Sequence, residues 1–363
     1  MNAEKPSVIE QILDLARWAP SGDNTQPWRF ELTGDYALIV HGFDTRAHCV
    51  YDFEGRPSQI SLGALLETLR IAASGHRMRV ETIRRSAAAD DRPTFDVRLI
   101  PDDGVDPSPL IDSIVKRTVQ RRAMRTTPLG VVQKAELESS LGAGYRVVWI
   151  ESLAERTRMA SLLYRNAKLR LTMPEAHRVH REVIQFNAKF SDDRIPDQAV
   201  GLDPVATMLM RWTMAEWSRV RFFNTYLAGT VMPRIELDFI PGLACAAHFA
   251  IVANTPAAST DDYVNAGSAI QRLWLTATRR QLFLQPEMTP LIFNWYVRAG
   301  KRFSATAPLW DQAVTLRRRW QAFLGDDVVE RAVFCGRIGS GPTPTARSLR
   351  MPLHRLMTVP ERD

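Results

Sequence analysis

Cysteine is scarce in this chain. The three cysteines, Cys49, Cys245 and Cys335, are far apart and odd in number, which argues against a disulfide framework and against a CxxC metal knuckle. They are expected to be small buried apolar side chains. Long hydrophobic runs are missing as well, and the opening MNAEKPSVIEQ has no basic segment leading into an apolar core. Neither a membrane span nor a secretory signal is therefore expected, and the chain is expected in the cytosol. Lysine is nearly absent: only six of the 47 basic residues are lysine, so arginine carries almost all of the net charge of +7. The planar arginine fork matches a phosphate group in two places at once, which favours a phosphorylated ligand or cofactor. The basic residues are dispersed and not interleaved with aromatics in one patch, which argues against nucleic acid. No GxSxG elbow, HExxH pair or GxxxxGK[ST] loop occurs, which removes the common hydrolase, zincin and P-loop readings. What remains, 45% apolar and 24% charged residues over 363 positions, describes a globular chain with one sizeable core or two smaller ones.

Ser7 and Glu10 form a capping box, and Val8, Ile12, Leu15, Ala16 and Ala19 share one face of the helix that follows, which Pro20 stops. Two strands, Trp28 to Leu32 and Tyr36 to His41, flank a Thr33-Gly34-Asp35 turn. A helix from about Gln59 to Ser74 is expected to end on Gly75 as a left-handed cap, before strands at Met78 to Ile83 and Thr94 to Leu99. Pro101 to Pro107 reads as a linker. The pattern then restarts: a helix around Leu110 to Val115, an arginine cluster at 117–122, a helix from Val131 to Leu141 and a strand from Arg146 to Ile150. Ser152 to about Leu227 reads as amphipathic helix broken by a loop at Ser191 to Pro196, followed by a strand at His248 to Ala253 and a helix at Tyr263 to Arg280. Placing Gly63 on Gly267, an offset of 267 − 63 = 204, superposes Leu62, Leu65, Leu66, Leu69 and Ala73 on Ala266, Ala269, Ile270, Leu273 and Ala277. The expected organisation is a first half, 1–104, and a second half, 105–363, that carries a helical insertion at about 152–243.

The most informative stretch is Ala16-Arg17-Trp18-Ala19-Pro20-Ser21-Gly22-Asp23-Asn24-Thr25-Gln26-Pro27-Trp28-Arg29-Phe30, helix into loop into strand. Taken as residues alone, it suits a ligand lying across a helix C-terminus, and it also suits a turn that merely starts a strand with Trp28 in the core. This stretch resembles the flavin-contacting loop of the nitroreductase superfamily, A-P-S-x-x-N-x-Q-P-W. The family's R-R-S-x-R phosphate motif, normally placed before the first helix, has a looser counterpart here in Arg117-Thr118-Val119-Gln120-Arg121-Arg122 of the second half. The second half in turn lacks the Pro-Ser loop, because only Gly142 to Tyr145 joins its helix to its strand. The Arg347-Ser348-Leu349-Arg350-Met351-Pro352-Leu353 segment is similar to the basic C-terminal segment of the family.

The resemblance implies an α+β nitroreductase-like fold in which two degenerate halves form an internal pseudo-dimer with mainly antiparallel sheets flanked by helices, so that a single chain acts as the monomer. It implies FMN in the crevice between the halves. Arg117, Thr118, Arg121, Arg347 and Arg350 would hold the phosphate, and Pro20, Ser21, Gly22, Asn24, Gln285 and Pro286 would approach the ring. The implied activity is FMN-dependent oxidoreduction from NAD(P)H to a nitro, quinone or other conjugated small-molecule acceptor in alternating half-reactions, with the flavin N5 and no catalytic protein residue carrying the chemistry. The alternative is a non-catalytic flavin-binding protein whose insertion covers the ring. As residues alone, the 117–122 cluster also reads as a solvated basic face, and Arg347 and Arg350 as an ordinary basic tail.

Other features receive plainer readings. His177 and His180 have helical spacing for a metal but no nameable partner, so no metal is expected. His41 and His48 are expected at loops or strand ends. Gly336 to Gly341 is expected to be a loop, because Pro342 and Pro344 follow and prevent a helix. The aromatic stretch Met208 to Trp217 is expected to pack in the core.

Overall fold

In the computed structural model, which describes residues 6–358, helix α1 (Val8–Ala16) starts on the expected capping box: the Ser7 hydroxyl accepts from the Glu10 amide, and Glu10 accepts from the Ser7 amide at 2.8 Å. Its Ile9, Ile12, Leu13 and Ala16 are buried. Strands β1 (Trp28–Gly34) and β2 (Ala37–Gly42) form the expected hairpin, and helix α2 (Arg56–Ser74) then leads into β3 (Met78–Arg84) and β4 (Thr94–Pro101). All neighbours in this sheet are antiparallel, in the order β1-β2-β4-β3.

After the linker come helix α3 (Val131–Ser140) and strand β5 (Tyr145–Ile150). The insertion follows with helices α4 (Leu153–Leu171), α5 (Pro174–Val183), α6 (Pro204–Met214) and α7 (Trp217–Tyr226). Strand β6 (Ala247–Ala253), helix α8 (Thr260–Arg279), strand β7 (Phe283–Pro286), helices α9 (Thr289–Arg298) and α10 (Ala307–Leu324) and strand β8 (Ala332–Gly339) complete the second sheet. It is again antiparallel throughout, in the order β5-β6-β8-β7. The two sheets therefore share one strand order when each is counted from its own first strand.

The long helices α2 and α8 lie against each other between the sheets. Most of α2 is buried, and its polar residues find partners there: Thr68 bonds the Ala64 carbonyl and accepts from the Gln271 amide at 2.9 Å, while the Ser268 hydroxyl donates to the Gly63 carbonyl at 3.0 Å. Each apolar core borrows from the other half. Val264 and Leu275 sit among the residues of the first sheet, and Val50, Phe53 and Ile60 sit among those of the second. The end of the chain also returns to the first sheet, where Thr358 donates to the Phe30 carbonyl and Met351 and Leu356 enter the core.

Several expectations are corrected. Gly336 does not belong to a loop; it lies in β8, a fully buried strand between β6 and β7, where a Cβ would stand 2.9 Å from the Gln285 carbonyl oxygen and 3.0 Å from the Phe249 ring. Glycine serves close backbone approach there, and the prolines act only beyond the strand. Gly75 is right-handed, and the left-handed residue is Arg77. The helix expected near Leu110 shrinks to a single turn, Ile111–Ser113. Met208, Leu209 and Trp212 are 63%, 48% and 52% exposed, so the aromatic stretch lies on the insertion's surface and not in the core. Among the described residues no helix is long and apolar enough to cross a membrane.

Candidate functional site

The loop after α1 is held in a strained form. Asp23, Asn24 and Gln26 all have positive φ, at 50°, 65° and 48°, a conformation that costs a residue with a Cβ about 1 kcal/mol or more. Hydrogen bonds from distant segments offset that cost. The Ser21 hydroxyl accepts from the Gln26 amide, the Asn24 amide group donates to the Asp192 and Arg194 carbonyls, and its oxygen accepts from Arg350 at 2.8 Å. Gln26 donates to the Asp192 carbonyl and accepts from the Met351 amide. Strain of this kind gathers at binding sites, and this loop forms one wall of a cavity of about 310 Å³ between the two sheets.

Pro20, Ser21, Gly22, Asn24, Arg117, Thr118, Arg121, Pro286 and Arg350 all line that cavity. Gln285 and Arg347 do not. Gln285 is on the edge strand β7 with its amide donating to the Pro286 carbonyl. Arg347 lies over the Trp18 ring at 5.3 Å and donates to the Val115 and Arg117 carbonyls behind the wall. Asn24 reaches the cavity with its amide already engaged, so it shapes the loop more than it presents a free polar group.

The charges around the cavity fall into two sets. In the first, Arg117, Arg347 and Arg350 stand together, and among the described residues none of them has a carboxylate partner. Arg117 lies 4.7 Å over the Trp274 ring, makes one long bond to the Trp18 carbonyl, and leaves its Nε without a partner. Burial first, and then Arg350 and Arg347, push its pKa well down from the ordinary arginine value; burial and the neighbouring Arg347 and Arg17 push Arg350 down to about 9. A guanidinium keeps its proton at neutral pH, so these shifts express a buried positive charge that lacks a counterion. A dianionic phosphate is the chemical complement of such a set, and the arginine and Thr118 donors suit the phosphate of FMN.

The second set contains Asp23, Tyr51, Arg121, Arg170 and His180. Asp23 is raised by burial against the pull of Arg121, while burial pushes Arg121 down to about 10 with Asp23 opposing. Arg121 therefore feels the field of the Asp23 carboxylate without forming an ion pair with it, and donates to the Ala199 carbonyl, which separates it from the arginines expected to share its role. Arg170 pairs with Asp238 at 2.8 Å. His180 meets the Tyr51 hydroxyl at 3.0 Å, and burial followed by Arg170 and His177 lowers it to about 3. His177 instead bonds the Met214 carbonyl, and among the described residues no group of ligands suited to a metal forms.

Behind the cavity a buried ionic trio supports the wall. His248 on β6 meets Glu287 at 2.7 Å, Arg337 on β8 meets the other Glu287 oxygen at 2.9 Å, and Arg337 also donates to the Arg121 carbonyl. Burial alone would lower His248, but Glu287 raises it to about 10. Sequence reasoning missed this trio, and it missed Asp23, Tyr51 and Arg170 as cavity residues. Of the second set, the resemblance puts Arg121 forward as a phosphate residue, and His180 stands out in the sequence only for its spacing from His177, with no metal expected; its partner is Tyr51.

No family model matches the chain. An uncharacterized protein of Mycobacterium tuberculosis is 24% identical over 321 residues, covering 84% of this chain and 42% of the relative; the chain thus spans less than half the length of that curated relative. Among solved structures, a nitroreductase-like family protein from Bacillus cereus aligns with 12% identity over 70% of this chain and 97% of its own, at a TM-score of 0.34. The FMN-dependent nitroreductase NfnB from Mycobacterium smegmatis, in complex with NADPH, aligns with 16% identity over 67% and 94%, also at 0.34.

Proposed function

We propose that the chain is an FMN-dependent oxidoreductase of nitroreductase type, with one flavin per chain in the cavity between two halves that act as an internal pseudo-dimer. The observation that carries this reading is the carboxylate-free arginine set beside a loop of the A-P-S-x-x-N-x-Q-P-W form. Arg117, Arg350 and the Thr118 hydroxyl hold the phosphate, Arg347 adds charge from behind, and Pro20, Ser21, Gly22 and Pro286 lie along the ring. The shared strand order and the mutual exchange of core residues support the pseudo-dimer. The first half supplies the loop and the second the arginines, so one complete site results. When bound, FMN supplies two-electron transfer at its N5, from NAD(P)H to a nitro, quinone or other conjugated acceptor. The protein binds and orients the cofactor, and Ile60, Ile270 and Phe334 offer apolar wall against which the ring would lie.

The contribution of Arg170, His180 and Ile195 from the insertion to the cavity wall favours a second reading, a flavin-binding protein with a covered ring. One experiment separates the two. Purified protein with a flavin spectrum at one FMN per chain, bleached by NAD(P)H without oxygen, supports the enzyme. A spectrum that does not bleach supports the binder. Colourless protein that takes up no FMN overturns both, and two FMN per chain overturns the pseudo-dimer.

A further inference from the structure

Tyr51 and His180 come from opposite sources, the first half and the insertion, and meet at 3.0 Å on the cavity wall with their rings stacked at a centroid distance of 5.6 Å. We propose that the Tyr51 hydroxyl, with His180 as its partner, is the hydrogen-bond donor that recognises an oxygen of a neutral planar ligand in the cavity. The inference rests on the flavin reading for its setting and names the acceptor's anchor within it.

The argument begins with proton inventory. Burial holds His180 neutral and the Tyr51 phenol protonated. A neutral imidazole has one N–H and one bare nitrogen. The pair carries two protons and makes one hydrogen bond between its members, so one donor is not consumed within the protein; it is the phenol O–H in the tautomer whose Nε2–H donates to the phenol oxygen. Among the described residues Tyr51 makes no other side-chain hydrogen bond.

Charge selects a neutral ligand. Arg170 is paired with Asp238 at 2.8 Å, and the Asp23 carboxylate lines the same cavity, so an anionic ligand at this end would meet a carboxylate. Ile292 and Met288 give the same cavity apolar wall as well. A flat conjugated carbonyl fits this combination: its faces meet aliphatic side chains and its oxygen meets one donor. An oxygen that gains negative charge as the ligand is reduced would strengthen the same bond.

Menadione, a naphthoquinone, tests the assignment by equilibrium binding to the purified protein without NAD(P)H, with 2-methylnaphthalene as the same ring shape without carbonyls. Tyr51→Phe is expected to raise the Kd for menadione about fivefold, a typical effect of losing one neutral hydrogen bond. Binding of 2-methylnaphthalene and flavin content are expected to stay at the wild-type level. His180→Gln made on top of Tyr51→Phe is expected to add no further loss, because the histidine acts through the phenol. An unchanged menadione Kd overturns the proposal, and so does an equal loss for both ligands. Flavin content that falls with Tyr51→Phe places the hydroxyl on the cofactor and also overturns it. The flavin reading itself is judged separately, from the absorbance of the unmodified protein and its uptake of FMN.

Discussion

Gly63 and Gly267 face each other where α2 crosses α8, and neither position has room for a side chain. A Cβ on Gly63 would stand 1.8 Å from the Val264 carbonyl oxygen, and one on Gly267 would stand 2.0 Å from that of Ile60. The contacts are reciprocal, since 264 − 204 = 60 and 267 − 204 = 63, the same offset that superposes the two helices in sequence. Reciprocity of this kind is the mark of a two-fold interface.

Gly63→Ala or Gly267→Ala forces the helices apart at the wall of the cavity. Each is expected to destabilise the protein by about 3 kcal/mol, the upper range for overpacking, because the obstacle is backbone and cannot rotate away. Urea denaturation midpoints measure the loss, and a change below about 0.5 kcal/mol would contradict the close approach.

Arg117→Met separates stability from binding. Methionine fills much of the space over Trp274 while removing a buried charge that lacks a carboxylate. The flavin-free variant is therefore expected to be more stable than the parent by about 1 kcal/mol, with flavin retention about tenfold or more weaker. Thermal midpoints of flavin-free protein and FMN titration give the two numbers. A lower midpoint with unchanged FMN affinity would make Arg117 a structural residue. As a control, Arg319→Ala on exposed helix surface is expected to leave retention unchanged.

Glu287→Gln leaves His248 and Arg337 facing a neutral amide in a fully buried site. The expected loss is about 3–5 kcal/mol, the usual result of removing one member of a buried ion pair. Chemical denaturation at neutral pH tests it, and a near-neutral outcome would mean that His248 gives up its proton without a penalty.

His180 gives the acid limb of stability a defined window. Its folded pKa of about 3 lies below its ordinary value of 6.5, so the unfolded chain takes up a proton first as pH falls. Stability is full above about 6.5 and is lost toward pH 3, with a slope of up to about 1.4 kcal/mol per pH unit for this one proton. Melting temperatures of His180→Gln across that range are expected to fall less steeply than those of the parent, and parallel curves would remove His180 from this role.

Local chemistry made much of the fold legible. The Ser7–Glu10 box, the hairpin turn before Tyr36 and the apolar periodicity of α2 and α8 all depend on residues within a few positions of one another, and the elements form where that chemistry places them. Of the eleven candidates nine line the cavity: Pro20, Ser21, Gly22 and Asn24 share one short helix-loop-strand segment, and Arg117, Thr118, Arg121, Pro286 and Arg350 are named only through the resemblance. Gly336 was not legible in this way. Its role depends on Phe249 and Gln285, which approach it only once β6 and β7 have paired with β8. The exposure of Trp212 was hidden for a similar reason, since an apolar helix face does not reveal whether anything covers it.

By itself, then, the amino-acid order determined the α+β composition, the restart of the pattern after the linker, the loop after the first helix and the excess of arginine, because each follows from neighbouring residues or from simple counting. Tertiary structure alone decided which arginines lack a counterion, because that depends on where carboxylates hundreds of positions away come to rest. It put Asp23 and Arg121 on one cavity wall, left Arg117 and Arg350 without a carboxylate partner among the described residues, and brought Tyr51 to His180. Electrostatic free energy is a property of distance and burial in space, and neither quantity is written along the chain.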